Sequence, residues 1–472
     1  MKRKRNKYTS GSILKSLISL SIPIVGANIL QTLYQLTDTF WVGRLGPEAV
    51  AAVSLSFPII FLLISLGGGF AIAGSILVAQ YKGKEDTKQI NIITGQTLAM
   101  VAIVSLITTL VGYIIAPYVI GFMGAEPGVF TPAVEYLRIS FLGMFVFFGF
   151  FVIQAILRGI GEVKKPFYIV LVTVLLNLIL DPLFIFGFGA IPAYGVKGAA
   201  IATIITQTVA AIAGFFVLMS GEYNIHPNLK NFIPKRDVII RMIKLGFPAS
   251  IEQSFRAVGL VVMTTLAAMF GTSAIAAYGI GSRVFSFVII PALGLSESTL
   301  TLVGQNIGAD KKKRAEKTIK YSVIFSFISL SIAGIFAFVF SKEIAGFFLT
   351  SGESVIDSSA LFIRFLAPAF GLIGVTLVIS GALRGAGETL PAMILTLISF
   401  WVFQFPLAYF LSQKVFSSEL GIWMAFPITN LISAVASVAY LMTGRWKKKQ
   451  LLPSSKLKNK ITDETIIEEG IQ

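Results

Sequence analysis

Twelve apolar segments, each long enough to cross a lipid bilayer, are the feature that most constrains how this chain can fold. Apolar residues make up 55% of its 472 residues and charged residues only 13%, where a typical soluble domain has about 25% charged residues. A helix needs about 20 apolar residues to span the hydrocarbon core. We therefore predict an all-α polytopic membrane protein with twelve transmembrane helices, at residues 13–42, 49–80, 90–116, 130–157, 166–188, 195–220, 238–270, 274–305, 317–341, 354–383, 389–412 and 420–444.

The loops between these segments alternate in charge. Loops on one side carry clusters of cations, such as those at 82–88 and 311–320, whereas loops on the other side carry about one each, such as Arg44 and Lys197. Cytoplasmic loops are the ones enriched in Lys and Arg. We therefore expect a multi-pass protein of a prokaryotic plasma membrane with both termini in the cytoplasm. The formal net charge of +16 then reflects topology, and we expect no nucleic-acid partner.

The chain has no cysteine and a single histidine. Disulfides, thiol catalysis and cysteine metal sites are therefore excluded. His226 lies in a polar loop before Pro227, where we expect a solvated side chain. The basic N-terminus precedes an apolar run that contains Pro23 and Asn28 and has no cleavage pattern. We interpret this run as the first spanning helix and not as a signal peptide.

An internal repeat relates the two halves of the chain. Residues 78–83 match 303–308 at an offset of 225, and residues 157–162 match 383–388 at an offset of 226. Each half holds six segments, so the second half starts on the same side of the membrane as the first. This is a parallel repeat about an axis along the membrane normal. It predicts two six-helix bundles that face each other across a central cleft.

The repeat also predicts the organisation of the chain. The expected units are a basic cytoplasmic N-terminus at 1–12, a first half at 13–220, a cytoplasmic connector at 221–237, a second half at 238–444, and a polar, disordered cytoplasmic tail at 445–472.

The first segment carries a carboxylate inside an apolar run. Asn28, Gln31, Gln35 and Asp38 are spaced by three or four residues and so share one helix face. An acid at the bilayer centre costs about 2.5–3.5 kcal/mol on insertion scales, and such groups face a bundle interior or a wet cavity. The alternative is that Asp38 caps the helix end beside the turn at 43–47. A capping role for Asp38 would not explain why three amide side chains share its helix face.

A second acid lies in the fifth segment. Thr173, Asn177 and Asp181 recur every four residues on one face, and Pro182 follows directly. A proline ring disturbs the preceding helical turn, and backbone oxygens freed there could join a carboxylate in binding a small cation or a proton. The sixth segment adds three polar side chains on one face: Thr203, Thr206 and Gln207.

The second half differs from the first in chemistry. The counterparts of the two acids are Met263 and Phe405. Segment seven instead carries Glu252, Gln253 and Arg256. Glu252 and Arg256 are four residues apart and can form an ion pair, which either contributes to a cavity or only neutralises itself.

Several motifs together carry a family resemblance. In order along the chain, the set resembles multidrug and toxic compound extrusion (MATE) transporters over residues 10–445. The motifs are Ser21-Ile-Pro23, Gln31-Thr-Leu-Tyr34 with Asp38, and the segments 41–52, 154–162, 177–182, 195–203 and 381–388.

This resemblance implies an antiporter that exports amphipathic, often cationic compounds by alternating access in exchange for H⁺ or Na⁺, with no other cofactor and no enzymatic activity. By family pattern the cation site, which could hold Na⁺, consists of Asp38, Asn177, Asp181 and Thr203. Matching cavity positions are Gln31, Tyr34 and Tyr136. The residue pattern adds Gln207, Glu252, Gln253 and Arg256 to the cavity. The expected partners are small amphipathic molecules and the bilayer, and we expect a monomer.

One departure concerns the branch of the family. The NorM-like branch carries an acid in segment seven where this chain has Arg256, so the chain looks closer to the DinF-like or archaeal branch. An alternative function is a lipid-linked oligosaccharide flippase of the same superfamily, which would need a cavity lined by several cations. An integral-membrane enzyme would need a nucleophile or metal cluster beside the acids, and a channel a ring of charges. The sequence shows neither.

Overall fold

The computed structural model describes residues 6–223, 225–348, 353–449 and 451–452. Within these ranges the chain is helical throughout, apart from turns and one isolated β-bridge between Phe188 and Ile191. The first half contains six long helices: α1 Ile13–Gly43, α2 Pro47–Gly83, α3 Thr87–Phe122, α4 Pro127–Ile160, α5 Lys164–Phe186 and α6 Val196–Met219.

The second half repeats this arrangement with more interruptions. Its helices are α7 Arg236–Ala268, α8 Thr272–Gly308, α9 Lys312–Val339, α10 Ser341–Phe348, α11 Glu353–Leu366, α12 Phe370–Ala386, α13 Thr389–Leu397, α14 Phe405–Phe410 and α15 Leu420–Met442. Two of the spans are composite, because a 3₁₀ turn at Ala367–Ala369 joins α11 to α12 and π-helical turns at Ile398–Gln404 and Leu411–Val415 flank α14.

The number of spans agrees with the sequence. Eleven helical spans in the described part of the chain are long and apolar enough to cross a membrane. The twelfth is α7, which has the length but is less apolar because it carries Glu252 and Arg256. The fold class predicted from the sequence is confirmed.

Five prolines lie inside spans of the sequence, where a proline can kink a helix: Pro23, Pro58, Pro248, Pro291 and Pro368. The helix continues through the first four, and only at Pro368 does a 3₁₀ turn replace it. Transmembrane helices tolerate proline because neighbouring helices and side chains satisfy the freed backbone groups.

The two halves meet where α2 and α8 cross. Gly83 lies against the carbonyl of Gln305, and Gly308 lies against the carbonyl of Gln80. These residues are repeat counterparts, so one contact occurs twice about the pseudo-twofold axis. A Cβ on either glycine would collide with the opposing backbone. Glycine at both positions therefore allows the two helices to touch.

The same two glutamines tie each half to the other. Gln80 donates from Nε2 to the carbonyl of Gly385 at 3.0 Å, and Gln305 donates to the carbonyl of Gly159 at 2.9 Å. Both amides are buried. An unpaired buried amide is costly, so these bonds favour the arrangement in which the halves touch.

Burial shows where the halves separate. From Gly67 to Gly83, and from Gly294 to Asn306, α2 and α8 are buried almost throughout. In the preceding stretch of α2, residues 53–66, only Ser56 and Ser65 are buried, and in α8 residues 275–289 are buried mainly along one face. The end of the molecule that contains the C-termini of α2 and α8 is called the closed end. The cleft between the halves widens towards the opposite end.

The segment before α1 binds to the second half at the closed end. Asn306 and Lys311 donate to the carbonyls of Tyr8 and Thr9 at 3.2 and 2.8 Å. The Tyr8 hydroxyl donates to the carbonyl of Gly161 in the first half at 2.9 Å. Burial raises the pKa of this phenol, which keeps its proton in the bond. Residues 1–5 and 453–472 of the predicted termini lie outside the described residues.

We expect Gly83→Ala and Gly308→Ala to destabilise the protein, because each new methyl group meets backbone in the opposing helix. Overpacking of this kind costs about 1–3 kcal/mol. Thermal unfolding of the detergent-purified protein measures the effect. Gly279→Ala in α8 is the matched control, since open space surrounds that position. An equal Tm for all three variants would contradict the close crossing.

Candidate functional site

Asp38 lies inside α1, which continues to Gly43. Thr203 of α6 lies opposite and its hydroxyl donates to Oδ2 of Asp38 at 3.4 Å. The carboxylate is therefore directed between helices and does not bond to the backbone at the helix end. The interpretation of Asp38 as a helix cap is wrong.

The acid of α5 faces the same place. Asn177 donates from Nδ2 to Oδ1 of Asp181 at 2.8 Å, as their four-residue spacing permits. Both side chains are fully buried, and both lie close to the Asp38 carboxylate. The helix continues through Pro182 to Phe186, so no break in the backbone forms the site. The structure thus brings together the four residues expected at a cation site.

Three buried oxygens of this cluster accept no hydrogen bond within the described part of the chain: Oδ1 of Asp38, Oδ1 of Asn177 and Oδ2 of Asp181. Two carboxylates, an amide oxygen and a hydroxyl form a hard oxygen donor set. In the same part of the chain, no three or more Asp, Glu, His or Cys side chains are placed so that they could hold a metal ion together. The donor set fits a proton or a monovalent cation such as Na⁺.

Two tyrosines surround the acids. The Tyr34 hydroxyl shares a hydrogen bond of 2.5 Å with Oγ1 of Thr206, and both groups are buried. The side chain of Tyr136, from α4, lies close enough to Asp38 and Asp181 for electrostatic interaction with both carboxylates. These two cavity candidates therefore belong to the wall of the acid cluster.

Four further amide side chains of α1 and α6 are less buried than Asn177. Gln31 and Gln35 share a face of α1 with Asp38 but are exposed, and Asn28 and Gln207 are half-buried. The hydrogen bond to the Asp38 carboxylate comes from Thr203 of α6, and the place of the α1 amides in a cavity stays a prediction.

A second buried acid organises the second half. Oε1 of Glu252 accepts hydrogen bonds from Arg256 at 3.0 Å, from Thr396 at 3.0 Å and from Ser380 at 3.4 Å. It also pairs with Arg384 at 2.6 Å. The predicted ion pair with Arg256 is confirmed, and it is part of a larger cluster that joins α7, α12 and α13.

Sequence reasoning missed Arg384 as a member of this cluster. Its repeat counterpart, Arg158, also turns inwards and pairs with Glu297 of α8. Both arginines precede the glycine that ends a helix. The signal that could have found them is the presence of two acids, Glu252 and Glu297, inside apolar segments that would otherwise lack enough cations.

We expect Glu252→Gln to be strongly destabilising, because it leaves two arginines without their shared carboxylate. Removing one member of a buried ion pair costs about 3–5 kcal/mol. Thermal unfolding in detergent measures the loss, with Glu343→Gln, at an exposed position of α10, as the control. A Glu252→Gln variant as stable as the control would show that the arginines do not depend on the acid.

A family model and individual relatives of the chain point to the same protein family. The family model described as MatE matches the chain twice, at residues 23–183 and 248–410. The chain is 30% identical over 453 residues to the probable multidrug resistance protein YoeA of Bacillus subtilis, covering 94% of this chain and 96% of that protein. The probable multidrug resistance protein NorM of Thermotoga maritima is 28% identical over 447 residues, with coverage of 94% and 96%.

Solved structures agree in fold. A structure described as the outward-facing conformation of a multidrug resistance MATE family transporter of the MOP superfamily superposes with a TM-score of 0.88 at 25% identity, covering 95% of this chain and 100% of that one. Because the relatives include NorM proteins, they do not support the expectation that the chain stands closer to the DinF-like or archaeal branch.

Proposed function

Because the chain belongs to the MatE family of membrane transporters, we propose that it is a cation-coupled antiporter that exports amphipathic, often cationic compounds. The observation that carries this proposal is the set of unpartnered oxygens on Asp38, Asn177 and Asp181. They offer a site for H⁺ or Na⁺ in the first half. The second half has no equivalent site, because Met263 and Phe405 stand at the positions that correspond to Asp38 and Asp181. The relatives' names support drug export as the activity.

The site couples the ion to the cargo as follows. An ion or proton that binds between Asp38 and Asp181 reduces the repulsion between them. The helices that carry the cluster, α1, α5 and α6, can then pack more closely. Tyr34 and Tyr136 lie beside the acids, so the same change alters the wall of the cavity. Cargo affinity then differs between the ion-bound and ion-free states, with a coupling energy of about 1–3 kcal/mol.

Alternating access follows from the closed end. By the charge of its loops the closed end faces the cytoplasm, as do both termini, in the plasma membrane of a prokaryote. The cleft then opens outwards. Rocking of the two bundles about α2 and α8 would open the cytoplasmic side. A single chain contains both halves, so a monomer is sufficient for the cycle.

We expect Asp38→Asn and Asp181→Asn each to abolish gradient-driven export of a cationic dye from proteoliposomes, because an amide neither takes up a proton at neutral pH nor carries the charge that binds Na⁺. Asp357→Asn is the matched control, since that acid is exposed and pairs with Lys342 on the surface. Export by either site variant at the wild-type rate would place the coupling site elsewhere.

The coupling ion is identified by imposing one gradient at a time. With ΔpH alone in Na⁺-free buffer, we expect export if a proton is exchanged. With a Na⁺ gradient at equal pH, we expect export if Na⁺ is exchanged. If neither the pH gradient nor the Na⁺ gradient drives dye export by the wild-type protein, the antiporter proposal is overturned.

A further inference from the structure

The cluster around Glu252 carries more positive than negative charge. A single carboxylate oxygen accepts the guanidinium groups of both Arg256 and Arg384. The formal charge of the three side chains together is +1. Charge surplus of this kind is costly at membrane depth, and a ligand that brings a negative charge would relieve it.

Three other acids of this half form ion pairs away from the cluster. Glu297 pairs with Arg158, Glu388 with Lys449, and Asp357 with Lys342. Among the described residues, no ion pair supplies the cluster with a second carboxylate. The surplus is therefore not neutralised within the described protein.

Arg256 is the reachable member of the cluster. Its side chain is 29% exposed, whereas that of Arg384 is 16% exposed and that of Glu252 is fully buried. Within the described part of the chain, both of its hydrogen bonds leave from Nη2, to Glu252 and to Oγ1 of Thr396. The guanidinium has five N–H donors in a planar fork, so the edge that carries Nη1 can bind an acidic group.

The position of Arg256 along α7 places it at the base of the cleft. Six residues earlier, Ser250 donates to the carbonyl of Leu66 in α2 at 2.6 Å. The Gln253 amide lies over Gly68. These are contacts between the halves. Beyond Gln253, the exposed residues of α7, such as Phe255 and Val258, mark where the halves part.

Aromatic rings form one wall beside this arginine. Its guanidinium lies 5.9 Å from the centre of the Phe400 ring, and Trp401 meets Phe255 edge to face at 5.3 Å. Both Phe400 and Trp401 belong to the π-helical turn Ile398–Gln404. Such turns are rare and are often found at functional sites. Here the turn places Phe400 next to a cation and Trp401 against the neighbouring Phe255.

We propose that Arg256 binds the acidic group of the cargo, so that the second half selects anionic or zwitterionic aromatic amphiphiles. The guanidinium edge takes a carboxylate or another planar acid, and the rings of Phe400, Trp401 and Phe255 take the aromatic body. The inference rests on the proposed transport function and adds a substrate class to it. Cations without an acidic group would use the cleft without this contact.

Two dyes that differ by a single group test the proposal. Rhodamine B carries a free carboxylate, and rhodamine B ethyl ester carries the same fluorophore without it. Binding of each dye to the purified protein is measured by fluorescence anisotropy, and export of each is measured in proteoliposomes. We expect Arg256→Gln to raise the Kd and KM for the acid about tenfold or more, as for a lost hydrogen bond to a charged group. The values for the ester should change less than about twofold.

Arg138→Gln is the control. Arg138 also stacks on an aromatic ring, that of Tyr113 at 4.9 Å, but lies on the first half between α3 and α4. Because Glu252 keeps Arg384 and Thr396 in the Arg256→Gln variant, the fold is expected to persist, and retained binding and export of the ester confirm it.

An unchanged Kd for the acid in Arg256→Gln, or an equal loss for acid and ester, would overturn the proposal. Export of the ester but not of the acid by the wild-type protein would overturn it too, while leaving the antiporter proposal intact. Export of neither dye under any gradient would instead reject the antiporter proposal.

Discussion

The contact on which the rest of the molecule depends is the crossing of α2 and α8. Two glycines at equivalent positions, Gly83 and Gly308, bring the backbones into contact. Inside a membrane the hydrophobic effect does little to hold helices together, so close packing and inter-helix hydrogen bonds must do so. Gln80 and Gln305 supply such bonds in both directions. The closed end, the cleft above it and the depth of both charged clusters follow from where these helices meet.

The two halves share one helix arrangement but carry buried clusters of opposite charge. In the first half, Asp38 and Asp181 concentrate negative charge among α1, α5 and α6. In the second, Arg256 and Arg384 outnumber Glu252. A repeat allows this because the packing positions, mostly small and apolar, are kept separate from the positions that face the interior. Each half can therefore change its chemistry without a change in the crossing.

Much of this could be predicted from the sequence. Segment length and apolar content indicate twelve spans, and the offset of 225 or 226 residues indicates the repeat. Asp38, Asn177, Asp181 and Thr203 come together as the motifs suggested, although their roles remain predictions. Helical spacing shows which residues share a face, but not which helix covers that face. For this reason the contact between Arg384 and Glu252 was missed. The π-helical turns have no recognisable spacing, because they depend on packing against neighbours.

The segment that precedes α1 has a mechanical consequence. Thr9 is bonded to Lys311 of the second half, while α1 of the first half begins at Ile13. The four residue steps between them reach at most about 14 Å when fully extended. This segment therefore sets a maximum distance between the start of α1 and the second half. If its hydrogen bonds persist through the transport cycle, the halves cannot separate further at the closed end, and a wider opening requires that these bonds break.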